Sequence, residues 1–382
     1  MNRIRLSFII FATLAILSCK KKEETVVLPS LSGQLKINGI EAFVGADEAS
    51  RTLTLRPSGA KHPEGQNLGY YWKVSPIMTS YDTTRYENGL NKKGQESDGT
   101  FTYTLKDSLG TYAIYCYAYA AGYSGLSAAG YVTVVRGGVN TSPDGLEVSI
   151  TYSENTEKEL KKLADTEYYY VSDGACDWIA NNVTDQTSGT AFLGYDVMSD
   201  VFGRYYSYDE AKAVCASLPA AGGNQWRLPT DEDWVNLVKN ITTDATGEFK
   251  AETHADIYWD TKKNGKPSLA ARLIAEGRFN GDQLWSYWPE IGVPENTSGM
   301  AILPFGYSNL GVTPTPQSKS NYPAALFEGT YEFAAFWTAD EVEDNTDMAY
   351  YRYIYMKSPH FMISKGYKGT FGASVRCVRE SL

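Results

Sequence analysis

Between residues 136 and 145 the chain reads Arg136-Gly137-Gly138-Val139-Asn140-Thr141-Ser142-Pro143-Asp144-Gly145. A joint this rich in Gly, Pro, Asn and Ser ends regular structure on both sides, so the 382 residues divide into two stretches of unlike pattern. Before the joint the period is two. Thr52-Leu53-Thr54-Leu55 and Phe101-Thr102-Tyr103-Thr104-Leu105 alternate, Tyr112, Ile114, Cys116 and Ala118 share one strand face, and Tyr131 to Val135 closes the region. Trp72 stands mid-strand in Tyr70-Tyr71-Trp72-Lys73-Val74, as a sandwich core would place it. After the joint, helix signals come first. Ser207-Tyr208-Asp209-Glu210 is a capping box opening a short helix, and Thr230-Asp231-Glu232-Asp233 gives a second helix an acidic first turn, favoured by the helix dipole. Trp234, Leu237, Val238 and Ile241 give that second helix one apolar face. Ser268 to Glu276 reads as a third, and strands are expected at 301–305, 333–338, 349–356, 361–364 and 373–378. The expected fold class is multidomain: an all-β sandwich over residues 31–136, then an α+β domain over 146–382.

The N-terminus carries Arg3 and Arg5, an apolar run from Leu6 to Leu17, and then Ser18-Cys19. A run of roughly 12 residues makes about 18 Å of helix, against about 30 Å of bilayer core, so it fits a signal peptide and not a span. Ser18-Cys19 resembles a bacterial lipobox, with Ile16 where Leu is usual. That resemblance implies a signal peptide over 1–18, acylation of Cys19, and a lipidated tether over 19–30. Lys20-Lys21-Lys22-Glu23-Glu24 resembles the export signal that sends Bacteroidetes lipoproteins to the outer face of the outer membrane. The plainer readings are an ordinary signal peptide with an incidental Cys and a merely solvated tether. Lipidation implies an outer-membrane protein facing the extracellular side.

Composition narrows the partners. The formal charge is −10, and a field of that sign repels nucleic acid and anionic lipid. Cys19 apart, the cysteines are Cys116, Cys176, Cys215 and Cys377, with no CxxC and only three His in the chain. A zinc site or His-dependent triad is not expected, nor is a cofactor. Cys116 reads as a small buried hydrophobe. The 29 Tyr and 8 Trp suit β-rich folds and sugar-stacking surfaces equally.

Two resemblances follow from motifs. Asp107-Ser108-Leu109-Gly110-Thr111-Tyr112 resembles the turn and tyrosine before strand F of immunoglobulin-like domains. The antibody disulfide has no counterpart, so the resemblance is to the PKD and bacterial Ig-like group, whose domains usually serve as spacers. In the second half, Trp178-Ile179-Ala180-Asn181-Asn182-Val183, Cys215 followed by Trp226-Arg227-Leu228-Pro229-Thr230-Asp231-Glu232-Asp233-Trp234, Phe336-Trp337-Thr338-Ala339, and Gly372-Ala373-Ser374-Val375-Arg376-Cys377-Val378-Arg379 occur in order. Together they resemble the Fibrobacter succinogenes major paralogous domain, a branch of the C-type-lectin-like fold, with departures at Val183, Gln225 and Ala339. The resemblance implies a disulfide between Cys215 and Cys377, whose helix and closing strand lie side by side in lectin-like folds. Four buried thiols are the alternative. Read without it, Trp226, Leu228, Trp234 and Trp337 form an aromatic core, with Arg227 and Arg376 bonding backbone carbonyls or a carboxylate.

These readings favour a surface lipoprotein that binds an extracellular ligand, a glycan first, without catalysis. The alternative is a structural or adhesive surface protein, such as a fimbria-like accessory or tip component. The partners implied are a glycan or surface protein and, through the anchor, the outer membrane with an outer-membrane glycan importer beside it. Acids are plentiful, but no pair is singled out for glycoside hydrolysis. Asp340, Glu341, Glu343, Asp344 and Asp347 read as an acidic loop, solvated or suited to calcium. The segment Leu284-Trp285-Ser286-Tyr287-Trp288-Pro289-Glu290, between Gly281 and Gly292, reads as an aromatic loop. Trp285, Tyr287 and Trp288 would stack on sugar rings, with Glu290 and Asn296 bonding hydroxyls; the competing reading is that the tryptophans plug the loop onto the core.

Overall fold

The computed structural model describes residues 27–77, 89–90, 98–106, 110–135, 149–151, 160–166, 168–185, 187–220, 222–243, 249–259, 267–279, 282–285, 291–311 and 327–381. The protein is β-rich, with a few helices confined mostly to its second half. The leader, Cys19 and the 136–145 joint lie outside the described residues.

The first half forms two sheets. One has the order β1 (Ser32–Asn38), β3 (Thr52–Lys61), β6 (Phe101–Thr104). The other runs β2 (Phe43–Gly45), β8 (Leu126–Val135), β7 (Gly110–Tyr119), β4 (Gly69–Ile77), β5 (Gly89–Leu90). Alternation drives the packing. Leu35, Leu53, Leu55 and Phe101 from the first sheet meet Trp72, Val74, Ile114, Cys116, Val132 and Val134 from the second in one core. Trp72 is fully buried; its indole N–H donates to the Gly99 carbonyl at 3.0 Å and its ring stacks on Phe101 at 5.5 Å. Its loss to Ala would cost about 3–5 kcal/mol.

In the second half the chain closes on itself. The strand Cys176–Ile179 pairs with the final strand Val378–Glu380, Trp178 opposite Val378. The centre is a three-stranded antiparallel sheet of Phe333–Val342, Asn345–Tyr355 and Met362–Tyr367. Because side chains alternate, this sheet feeds two cores. Ala334, Phe336 and Ile354 face the core that takes the helix Asp231–Ile241, where the Trp234 ring lies 4.7 Å from Trp178 and 5.5 Å from Phe336. Ala335, Trp337 and Ala349 face the other, with the helix Tyr208–Ser217, Trp226 and Cys377.

Both helices begin where expected. The Glu210 carboxylate accepts the Ser207 N–H at 2.8 Å, and Thr230 and Asp233 cap each other reciprocally. The third helix is shorter than its pattern: it covers Leu269–Leu273, capped by Ser268, and Glu276–Phe279 is a strand. Residues 301–305 are buried, but their β-pairing is the single Ile274–Ile302 bridge, so apolarity there marks a core crossing and not a strand. The closing strand starts at Val378, later than expected.

The halves touch along β2. The Ala42 N–H donates to the Tyr195 hydroxyl at 3.1 Å, the Phe43 ring meets Tyr195 edge-on at 5.4 Å, and Val135 belongs to the core of the second half.

Candidate functional site

The residues expected to meet a ligand fall in two places. Trp285 is 1% exposed, and its indole N–H donates to the Ile302 carbonyl at 2.9 Å. Asn296 is fully buried at φ 50°, a conformation Asn tolerates better than most residues, and its Oδ1 accepts the Ala301 N–H at 2.7 Å. Neither can present a face to a glycan, which corrects that expectation. A tryptophan carries on the order of 200 Å² of largely apolar surface, and here the core takes it. Tyr287, Trp288 and Glu290 lie outside the described residues. Cys215 and Cys377 are both buried and joined by a disulfide, Cα to Cα 5.4 Å. Cys116 and Cys176 are free thiols.

The acidic stretch is a hairpin and not a loop: Glu343-Asp344 turns between its strands. Asp340 has a structural task, since its Oδ2 accepts the Asp231 N–H at 2.6 Å at the positive, N-terminal end of the helix dipole. Glu341 pairs with Lys368 at 2.8 Å. Among the described residues no three His, Cys, Asp or Glu side chains are grouped as metal ligands.

What the central sheet leaves half-exposed is aromatic. Beyond Trp337, the same face carries Tyr351, Tyr353 and Tyr355 at alternate positions of one strand, with Phe333 across from Tyr355. The rings close a cycle: Phe371 stacks on Tyr351 at 4.4 Å, Tyr351 meets Tyr353 at 5.8 Å, and Tyr353 stacks on Phe333 at 4.7 Å. Phe333 then meets Tyr307 at 5.5 Å, and Tyr307 returns to Phe371 at 5.4 Å. Each ring is partly buried against the Trp337 core and partly open to solvent. Burial raises the Tyr351 and Tyr353 hydroxyls above their ordinary value. Tyr307 is pushed up to about 12 by burial and by donating to Glu328 at 2.5 Å. The surface therefore offers half-exposed aromatic rings with the Tyr351 and Tyr353 hydroxyls among them, a set suited to binding.

A family model, the Fibrobacter succinogenes major domain, matches residues 149–379, more than half of the chain. The chain belongs to the Fibrobacter succinogenes major domain family. Neither curated proteins nor solved structures yielded a match. Within this Fibrobacter major domain, the motif residues are connectors, with Arg376, Arg379 and Trp337 buried and Arg227 at the surface. Arg227 grips Asp233 with two bonds of 2.5 and 3.0 Å, anchoring the helix cap. Arg376 donates to the Asn182 Oδ1 at 2.9 Å, and Arg379 donates to Asp177 at 3.0 Å while lying 4.5 Å over the Trp226 ring. Trp337 donates its indole N–H to the Tyr206 carbonyl at 2.8 Å. The Fibrobacter major domain thus spends its motifs on the scaffold and keeps its aromatic cycle at the surface. The Tyr351, Tyr353, Tyr355 alternation was visible in sequence as a strand; its partners Tyr307, Phe333 and Phe371 join it only through the fold.

Proposed function

We propose that this protein is a bacterial surface lipoprotein, held in the outer membrane through Cys19, that binds an extracellular glycan without catalysis. In this reading the first half is an Ig-like or PKD-like sandwich, the Fibrobacter major domain is C-type-lectin-like, and the source is a member of the Bacteroidetes. The observation that carries the binding claim is the half-exposed aromatic cycle of Tyr307, Phe333, Tyr351, Tyr353 and Phe371. Rings fixed by a rigid core lose little entropy on stacking against a pyranose, and their hydroxyls reach sugar oxygens. Burial pushes the Cys116 thiol up to about 12 and Cys176 up to about 11, which keeps both protonated and weak as nucleophiles at neutral pH.

A glycan array on the purified protein tests this. At least one glycan should bind, and Tyr353→Ala should weaken it by about tenfold with an unchanged fold, the loss of roughly 1.4 kcal/mol. No bound glycan in the wild type, or full binding by the variant, overturns the proposal.

A further inference from the structure

The second exposed aromatic surface lies on the other half of the chain. β7 and β8, twenty residues between them, contain no charged side chain. Their inner residues fill the sandwich core; their outer ones are mainly Tyr and small residues. Tyr115, Tyr117 and Tyr119 follow one another along β7, Tyr131 stands on β8 opposite Ala113, and Tyr71 on β4 stands opposite Tyr117 with its ring 5.8 Å away. Tyr119 and Tyr131 are each 56% exposed and Tyr117 39%. Ser127 and Ala129, the β8 partners of Tyr117 and Tyr115, leave room between the rings. A Cβ on Gly69 would sit 2.5 Å from the Tyr119 ring, so that ring lies down over the glycine and turns its other face to solvent.

From these observations we infer that the outer face of this sheet is a binding track for a linear, uncharged polysaccharide. The inference takes its ligand class from the proposal above. From Ala113 to Tyr119 the track is about 20 Å long at the ~3.4 Å rise of a strand, longer than wide, which fits an extended chain better than a globular partner. Its rings are all tyrosines, with hydroxyls to meet sugar hydroxyls, and no large aliphatic side chain stands among them. Lys73, 5.7 Å over the Tyr115 ring, is the one charge that the described strand residues place on it, although the whole chain carries −10. A protein partner would meet little to pair with there; an uncharged polymer needs nothing more. One end of the track, at Thr133 opposite Phe43, abuts Tyr195 of the Fibrobacter major domain. One chain could then engage both halves, each raising the effective concentration for the other.

Native gels cast with xylan, glucomannan, mixed-linkage β-glucan or hydroxyethylcellulose test this on the purified full chain. At least one polymer should retard the wild type. The double variant Tyr117→Ala, Tyr131→Ala should weaken that retardation by about tenfold or more, and so should Ala129→Glu, which puts a carboxylate between the rings and leaves every ring in place. Tyr117→Phe, Tyr131→Phe should keep most of it. If the Ala variants and Ala129→Glu bind as the wild type does while Tyr353→Ala does not, this track is wrong and the glycan proposal stands. If no polymer retards the wild type, the track falls, and the glycan array alone decides the proposal above. A wild-type dimer that Tyr117→Ala, Tyr131→Ala dissolves and no polymer displaces would show that a second copy covers the face, and would overturn the inference.

Discussion

Asp231 and Arg352 form a fully buried ion pair in the Fibrobacter major domain. Asp231 Oδ1 accepts Arg352 Nε at 2.6 Å; Oδ2 accepts Nη2 at 2.9 Å and the His254 N–H at 2.6 Å. Arg352 also donates to the Ala255 and Phe361 carbonyls at 2.8 and 3.3 Å. Asp231→Ala strands a guanidinium in the core with only carbonyl dipoles beside it. Breaking a buried pair from one side costs about 3–5 kcal/mol, and Arg352→Met should cost about as much by stranding the carboxylate. Removing both charges leaves the His254 N–H unpaired, worth about 1–3 kcal/mol. The double variant should thus be more stable than either single one, with a coupling of several kcal/mol. Urea unfolding followed by tryptophan fluorescence reads this well, because seven of the eight Trp lie beyond residue 146. A loss below about 1 kcal/mol for Asp231→Ala, or a double variant that loses the sum of the singles, would refute the assignment of charge burial as the dominant effect.

Non-reducing peptide mapping should find Cys215 linked to Cys377 and Cys116 and Cys176 free. Because this bridge closes a separation of 162 residues, its removal should cost about 4–5 kcal/mol before native-state strain is counted. Cys19→Ala should abolish acyl labelling and leave unprocessed precursor or a released form; continued labelling would refute the anchor. Burial alone would raise the Asp233 carboxyl, but the Arg227 fork and the Thr230 bonds outweigh it and hold it below the usual range. Its share of stability is therefore complete above the unfolded value near pH 4 and lost as pH falls through the lowered one. Asp233→Asn should flatten that acid limb in melting curves between about pH 5 and pH 2, and an unchanged slope would contradict this.

What could be read from sequence was local. The Ser207 and Thr230 caps, the apolar face of Trp234, Leu237, Val238 and Ile241, and the mid-strand Trp72 all depend on neighbours within a turn or on strand alternation. Trp285 and Asn296 misled because a loop-like pattern does not reveal burial; their buried polar atoms are satisfied by the Ile302 carbonyl and the Ala301 N–H. The acidic residues after Trp337 looked like a loop because their charge masked strand alternation, and Asp340 finds its partner, the Asp231 N–H, 109 residues away. The aromatic cycle escaped for the same reason. Pairing within the central sheet brings Phe333 to the tyrosine strand, and a second small sheet carrying Tyr307 and Phe371 packs its rings onto Tyr351 and Phe333.

Hydroxyl-radical footprinting of the full chain, with and without a glycan that it binds, tests the central claim most directly. Tyr307, Phe333, Tyr351, Tyr353 and Phe371 are open to solvent on one side and should be oxidised in the free protein and protected in the complex, while buried Trp285 stays unlabelled in both. Saturating glycan with no protection at Tyr351 and Tyr353 would contradict the account.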